Sequence, residues 1–161
     1  MTDKTQTNRL PMTSGGINEL THRFIGCAMQ VHNSLGNGFQ EVIYQRALAL
    51  EMTFQELSFE REKKMPIFYR DKQIGTRRVD FFVENRVMVE LKAVEKLQNV
   101  HKAQAINYLE AYGISDGLLI NFGGRSLEFK RLYNKKFVRS PSSNLVNHIQ
   151  TGENSNDDGY R

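Results

Sequence analysis

The chain has 161 residues and a net charge of +4 at neutral pH, with 39% hydrophobic and 25% charged residues, a composition typical of one globular domain. No apolar run reaches the ~18–20 residues that cross a membrane, and the polar N-terminus lacks the apolar segment of a signal peptide. These features argue against a membrane or secreted protein. The single cysteine, Cys27, excludes an internal disulfide and predicts a cytoplasmic location.

Polar segments flank the predicted domain. Residues 1–16 predict a flexible N-terminal tail, residues 17–139 a folded domain, and residues 140–161 a disordered C-terminal tail. Without the acidic C-terminal tail the net charge rises to +6, from 21 basic and 15 acidic residues. A basic domain favours a polyanionic partner, although many basic proteins of this charge bind no nucleic acid.

The predicted elements run in the order ααβββαββ. Apolar residues at helical spacing predict helices at about 17–34, 40–56 and 100–111. Alternating or continuous apolar runs predict strands at 58–70 (interrupted at Pro66), 73–83, 87–95, 117–122 and 126–133. The third helix connects two strands as a crossover, which makes those strands parallel. We therefore expect an α/β fold with a mixed β-sheet flanked by helices.

The predicted hairpin around Asn85 carries the residues of greatest chemical interest. Strand side chains alternate between the two faces of a sheet, which places Val79 and Phe81 on one apolar face. On the other face Asp80 lies opposite Glu90, with Cβ atoms about 4.5–5.5 Å apart. Two facing carboxylates repel each other, so we expect a positive group between them.

Asp80, Glu90 and Lys92 form the pattern Asp-x9-Glu-x-Lys. Mg²⁺ takes oxygen ligands, typically one or two carboxylates together with water and phosphate oxygens. A lysine two residues further along the strand can stabilise negative charge that develops on a phosphate. The same pattern also fits a salt-linked polar face in which Arg78 pairs with Asp80 and Lys92 pairs with Glu90. The pattern alone leaves these two interpretations equal.

Two longer stretches carry a resemblance to a known family. Residues 38–44 (Gly-Phe-Gln-Glu-Val-Ile-Tyr) and 89–94 (Val-Glu-Leu-Lys-Ala-Val) resemble the GxxExxY proteins, a group within the PD-(D/E)XK nuclease superfamily, and the similarity spans residues 17–133. The resemblance implies a restriction-endonuclease-like core and a Mg²⁺- or Mn²⁺-dependent nuclease that hydrolyses phosphodiester bonds, with DNA favoured over RNA. Val79 departs from the pattern, because the superfamily usually has proline before this aspartate.

The resemblance also implies roles for individual residues. Glu41, Asp80 and Glu90 would hold the metal ion. Lys92 would assist the attacking water or stabilise the transition state, and Gln104 would add a polar group to the active site. Further residues that could line the site are Tyr44, Tyr108 and His32.

Several of these residues also have a purely structural interpretation. Glu41 can oppose the positive N-terminal end of its helix. Tyr44 can be a packed aromatic with a hydrogen-bonded hydroxyl. Gln104 can be a surface residue of its helix, and His32 can be a packing or capping residue. Without the resemblance, these interpretations stand beside the functional ones.

Basic residues are concentrated on the two strands before Asp80, with Phe68 and Tyr69 between them. This pattern predicts a phosphate-binding surface, and it is equally explained by a charged sheet edge that prevents pairing with other chains. The residues predicted to contact phosphate are Arg61, Lys63, Arg77 and Arg78.

The leading functional hypothesis is a metal-dependent nuclease whose partner is nucleic acid. The alternative is a non-catalytic module that binds nucleic acid or protein through a nuclease-like fold. The predicted domain is nearly all catalytic core, so a homodimer or a larger repair or defence complex could supply substrate recognition. We expect no membrane partner.

Overall fold

The computed structural model describes residues 16–137, so most of the predicted N-terminal tail and the whole predicted C-terminal tail lie outside the described residues. Within this range the element order ααβββαββ is confirmed. The elements are α1 (Ile17–Leu35), α2 (Glu41–Phe54), β1 (Phe59–Tyr69), β2 (Lys72–Val83), β3 (Val87–Lys92), α3 (Asn99–Tyr112), β4 (Asp116–Asn121) and β5 (Glu128–Tyr133).

The five strands form one mixed sheet in the order β1-β2-β3-β4-β5. β3 and β4 are parallel, as the crossover through α3 predicts, and the other neighbouring pairs are antiparallel. Helices cover both faces of the central strands, which explains why β3 and β4 read as nearly continuous apolar runs. No helix of the described part is long and apolar enough to cross a membrane.

Two hydrophobic cores lie on opposite faces of this sheet. On one face α1 and α2 pack against the sheet, with Phe24 and Leu48 fully buried beside Phe81. On the other face α3 contributes Leu109, which packs in a smaller core with Leu119. Burying each such side chain contributes about 1.5–3 kcal/mol, so both faces stabilise the central strands.

The predicted interruption at Pro66 was wrong, because β1 runs through this residue, which pairs with Thr76. β1 is one of the two edge strands of the sheet. An edge strand has one side without a neighbour, so a residue that lacks a backbone N–H can be accommodated there.

The predicted common face of Val79 and Phe81 was also wrong. Phe81 lies in the core beneath α1 and α2, whereas Val79 packs with Met88 in the core beneath α3. Glu62 on β1 lies beside this point and has a left-handed φ of 52°, which interrupts the regular pleat. The regular alternation of β2 side chains between the two faces of the sheet is therefore interrupted at Asp80.

Candidate active site

The β2–β3 hairpin has the predicted register, with Phe81 opposite Val89 and the turn centred on Asn85. One step beyond that pair, the backbone N–H of Leu91 donates to Asp80 Oδ2 at 2.8 Å. A carboxylate oxygen thus takes the place of a backbone carbonyl at the end of this ladder. This contact brings the Asp80 carboxylate to the strand that carries Glu90.

The Asp80 carboxylate is fixed from two elements. Besides the Leu91 contact, Gln45 of α2 donates from Nε2 to Asp80 Oδ1 at 2.9 Å. Burial raises the pKa of Asp80, and the two hydrogen bonds act in the opposite direction. The result is an oriented carboxylate whose ionisation is made less favourable by burial.

Glu90 is the most deeply buried acid of the site. Burial and then the negative charge of Asp80 raise the pKa of Glu90 to about 7, against the opposing charges of Arg77 and Lys92. Its Oε2 lies 3.3 Å from Arg77 Nη2, and its Oε1 is buried with no hydrogen-bond partner among residues 16–137. An unsatisfied buried carboxylate oxygen is costly and marks this group as a candidate ligand.

The salt bridges proposed from sequence, Arg78 with Asp80 and Lys92 with Glu90, are absent from residues 16–137, where Arg77 pairs with Glu90 instead. The change of face near Asp80 is the reason, because it brings Arg77 to the α3 side of the sheet together with Glu90. The Arg77 guanidinium also lies 4.7 Å from the centre of the Tyr108 ring. Arg77 is therefore held between β3 and α3.

A shallow depression between β3 and α3 gathers several of the predicted site residues. Gln104 and Tyr108 reach it from α3, as their one-turn spacing predicts. Glu90 and Lys92 reach it from β3, and the Lys92 ammonium makes no hydrogen bond or ion pair with any described residue. The full lining is Arg77, Glu90, Lys92, His101, Gln104, Ala105, Tyr108 and Leu119.

Tyr44 and His32 do not line this depression. The Tyr44 hydroxyl donates to the Gly36 carbonyl at 2.6 Å, and its ring stacks on Phe122 at 4.5 Å. His32 Nε2 lies 3.0 Å from the carbonyl oxygen of Gly124. The Tyr44 hydroxyl therefore holds the loop between α1 and α2, whereas His32 links α1 to the loop between β4 and β5.

Glu41 is the first residue of α2 and is exposed. It lies one turn before Gln45, on the helix face from which Gln45 reaches Asp80. No group of three or more His, Cys, Asp or Glu side chains within residues 16–137 is close enough to hold a metal ion. The role of Glu41 as a ligand stays a prediction.

The four residues predicted to contact phosphate occupy different environments. Arg77 belongs to the depression, whereas Arg61 and Arg78 are exposed on the β1–β2 hairpin. Lys63 pairs with Glu60 at 3.1 Å and lies 4.8 Å from the centre of the Phe82 ring. Arg61, Lys63 and Arg78 are thus spread along the hairpin outside the depression.

One residue of this region, Gln45, was missed from the sequence. Gln45 orients Asp80, and the signal for it was its position one turn after Glu41 on the same helix face. His101 lines the depression, and its Nδ1 accepts a hydrogen bond from the Gln98 backbone N–H at 3.0 Å as part of a capping box. This capping contact gives His101 a structural role at the start of α3.

Comparison with known proteins assigns the family. No curated protein matches the chain. One solved structure, described as the crystal structure of SSO0001, is 14% identical with a TM-score of 0.40 and 86% of each chain covered, a similarity too low to support an inference. A sequence model of the PD-(D/E)XK nuclease superfamily matches residues 18–132, which is most of the chain, and the mixed sheet flanked by helices is consistent with its restriction-endonuclease-like fold. The chain therefore belongs to the PD-(D/E)XK nuclease superfamily.

Proposed function

We propose that this protein is a metal-dependent nuclease of the GxxExxY group, located in the cytoplasm, which hydrolyses phosphodiester bonds in nucleic acid, with DNA as the first substrate to test. The observation that carries the proposal is the pair of carboxylates formed by the half-buried Asp80 and the buried Glu90, with Lys92 beside Glu90. Superfamily membership supports the same chemistry.

The donor set fits a hard divalent cation such as Mg²⁺ or Mn²⁺. Burial raises the pKa of both carboxyls because it makes their charged forms less favourable. A cation between them would offset this free-energy cost. Glu90 Oε1 has no partner among the described residues, and each Asp80 oxygen keeps a lone pair beyond its hydrogen bond from Gln45 or Leu91. Two carboxylates completed by water and phosphate oxygens are a common Mg²⁺ site. We propose Glu41 as a further ligand.

When bound, the metal ion would supply Lewis acidity at the scissile phosphate. Lys92, on the same strand as Glu90, would place its ammonium group near the phosphate, where its positive charge would stabilise the negative charge that develops on the phosphoryl oxygens. Gln104 and Tyr108 would orient the phosphate or the attacking water from α3. In the metal-free protein Arg77 pairs with Glu90. With a metal ion bound to Glu90, Arg77 would be free to contact a phosphate oxygen.

The proposal is tested by incubating the protein with fluorescently labelled single-stranded DNA, duplex DNA and RNA, each with Mg²⁺, Mn²⁺ or EDTA. We expect cleavage of DNA that requires the metal ion and stops in EDTA. Binding without cleavage for every metal and substrate would contradict the proposal, and would favour the non-catalytic module.

A Lys92→Gln variant is expected to cleave about 100-fold more slowly while its metal affinity stays near that of the wild type, because Lys92 acts on the developing charge and not as a ligand. Single-turnover rates and calorimetric Mn²⁺ titrations measure the two effects separately. Lys130→Gln, which removes an exposed lysine of β5, is the matched control. A wild-type rate in Lys92→Gln would remove lysine from the mechanism.

A Gln45→Ala variant is expected to bind Mn²⁺ about 10-fold more weakly, because it removes the amide that orients Asp80 Oδ1. Calorimetric titration measures the affinity directly. Gln30→Ala, an exposed change on α1, is the control for the loss of a glutamine from a helix. Equal affinities in both variants would show that Asp80 needs no support from α2.

A further inference from the structure

The β1–β2 hairpin extends past the body of the protein. We call residues 66–76 the hairpin tip. None of its side chains is buried, whereas Met65 and Val79, on either side of it, both pack beneath α3. At about 3.3 Å per residue, the tip extends roughly 15 Å beyond Met65.

The hairpin tip presents large apolar side chains to solvent. Phe68 is 60% exposed, Tyr69 is 62% exposed and Ile74 is 66% exposed. Ile74 is an extra residue between Gln73 and Gly75, both of which have partners on β1, so the ladder has a bulge here. A cluster of exposed aromatic and aliphatic groups at the end of a projecting element marks an interaction surface.

The hairpin on either side of the tip is strongly basic. Residues 63–78 hold six basic residues and one acid, a net charge of +5, which exceeds the +4 of the whole chain. The basic residues are Lys63, Lys64, Arg70, Lys72, Arg77 and Arg78. The charge of residues 63–78 complements a polyanion and opposes association of this segment with a second copy of itself.

The turn keeps an arginine at the apex at some conformational cost. Arg70 and Asp71 form a two-residue loop between the paired residues Tyr69 and Lys72, with left-handed φ values of 46° and 61°. Such loops favour glycine and asparagine, because other side chains strain in this region. The Arg70 guanidinium lies 5.6 Å from the centre of the Tyr69 ring, so a cation and an aromatic ring are presented together.

We propose that the hairpin tip binds single-stranded nucleic acid, with Phe68 and Tyr69 stacking on unpaired bases while Arg70 and Lys72 contact the phosphates. The inference rests on the proposed function and deepens it, because it assigns the substrate to nucleic acid with unpaired bases. β2 leads from the tip directly to Arg77 and Asp80. A nucleic-acid strand bound to the tip would therefore extend along β2 toward the depression beneath α3.

The test is a Phe68→Ala/Tyr69→Ala double variant, with fluorescence anisotropy in EDTA measuring the affinity for labelled single-stranded and duplex DNA. We expect single-strand affinity to fall at least 10-fold and duplex affinity to fall less. The matched control is Phe129→Ala/Tyr133→Ala, which removes exposed aromatics of similar type from β5 at the opposite edge of the sheet. The control is expected to bind as the wild type does.

An Arg70→Gln/Lys72→Gln variant tests the phosphate contacts of the tip. Removing two contacts is expected to reduce the slope of log affinity against log salt by about 1.4 for single strands. An unchanged slope would overturn this part of the inference.

Three results would overturn the base-stacking inference: unchanged single-strand affinity, an equal loss on duplex, or a loss of self-association in sedimentation with DNA affinity intact. The inference and the proposed function can fail separately. If the wild type cleaves nothing but the tip variant loses affinity selectively for single strands, the inference is supported while the nuclease proposal fails. If cleavage is metal-dependent and the tip variant binds normally, only the inference fails.

Discussion

A Glu90→Gln variant is expected to cleave DNA about 1000-fold more slowly or worse, and in the metal-free state at pH 8 to be more stable than the wild type by on the order of 3 kcal/mol. Both effects have one physical cause. The wild-type carboxylate is buried beside Asp80 and is costly to ionise without a cation. A neutral amide removes that cost and, with it, the charge that the metal ion needs.

The sign of the pH dependence follows from the raised pKa. The pKa of Glu90 is about 7 in the folded protein against an ordinary value of 4.5. Below pH 4.5 the group is protonated in both states and has no effect. Between pH 4.5 and 7 the unfolded state has lost a proton that the folded state still holds, so the wild type loses stability as the pH rises through this window, and the loss levels off above pH 7. Each tenfold change in the ionisation constant costs about 1.4 kcal/mol.

Urea denaturation of both proteins between pH 5 and pH 8 measures this difference. We expect the two unfolding free energies to be close at the acidic end of this range and to diverge toward pH 8, and added Mg²⁺ to stabilise only the wild type at pH 8. Glu19→Gln, an exposed acid of α1, is the control and should follow the wild type. A Glu90→Gln protein that is less stable than the wild type at pH 8 would show that Glu90 is a structural ion-pair partner of Arg77.

The Gly123→Ala variant is expected to lose about 3 kcal/mol of folding stability. A Cβ at this position would lie 2.1 Å from the Val94 carbonyl oxygen and 2.5 Å from its nitrogen, and both atoms belong to backbone that cannot rotate away. The buried Asn121 side chain holds the two segments together, because its Oδ1 accepts from the N–H groups of both Val94 and Gly123 at 3.0 Å. The clash would therefore separate the segment after β3 from the segment after β4.

Thermal or urea unfolding of Gly123→Ala measures this loss. Gly26→Ala is the matched control, because Gly26 is exposed in the middle of α1 with no atom within 4 Å of an added Cβ. That change should stabilise the protein by up to about 1 kcal/mol through helix propensity. Equal stabilities of the two variants would show that the segments around Val94 and Gly123 separate without cost.

The sequence was sufficient for the element order and for the register of the β2–β3 hairpin. Apolar periodicity defined each helix and strand, and the polar turn at Asn85 positioned the strands so that Phe81 lies opposite Val89. These features depend on local patterns, which a single sequence records. The parallel pairing of β3 with β4 followed from the length of the crossover through α3.

Features that depend on a single backbone irregularity could not be predicted in this way. The left-handed Glu62 lies beside the point where the hairpin changes face, so strict alternation misplaced Val79 and missed the pairing of Arg77 with Glu90. The contact between Gln45 and Asp80 joins residues far apart in sequence, so the position of Gln45 one turn after Glu41 did not identify its partner. Local sequence patterns do not predict irregular backbone or tertiary contacts of this kind.

The central claim is that Asp80 and Glu90 together bind a divalent metal ion. Anomalous diffraction from crystals soaked in Mn²⁺ tests it most directly, with Glu90→Gln crystals as the control. We predict an anomalous peak in contact with both the Asp80 and the Glu90 carboxylates of the wild type, and its loss in the variant. Well-ordered wild-type carboxylates with no peak between them at saturating Mn²⁺, and Arg77 still paired with Glu90, would contradict the claim.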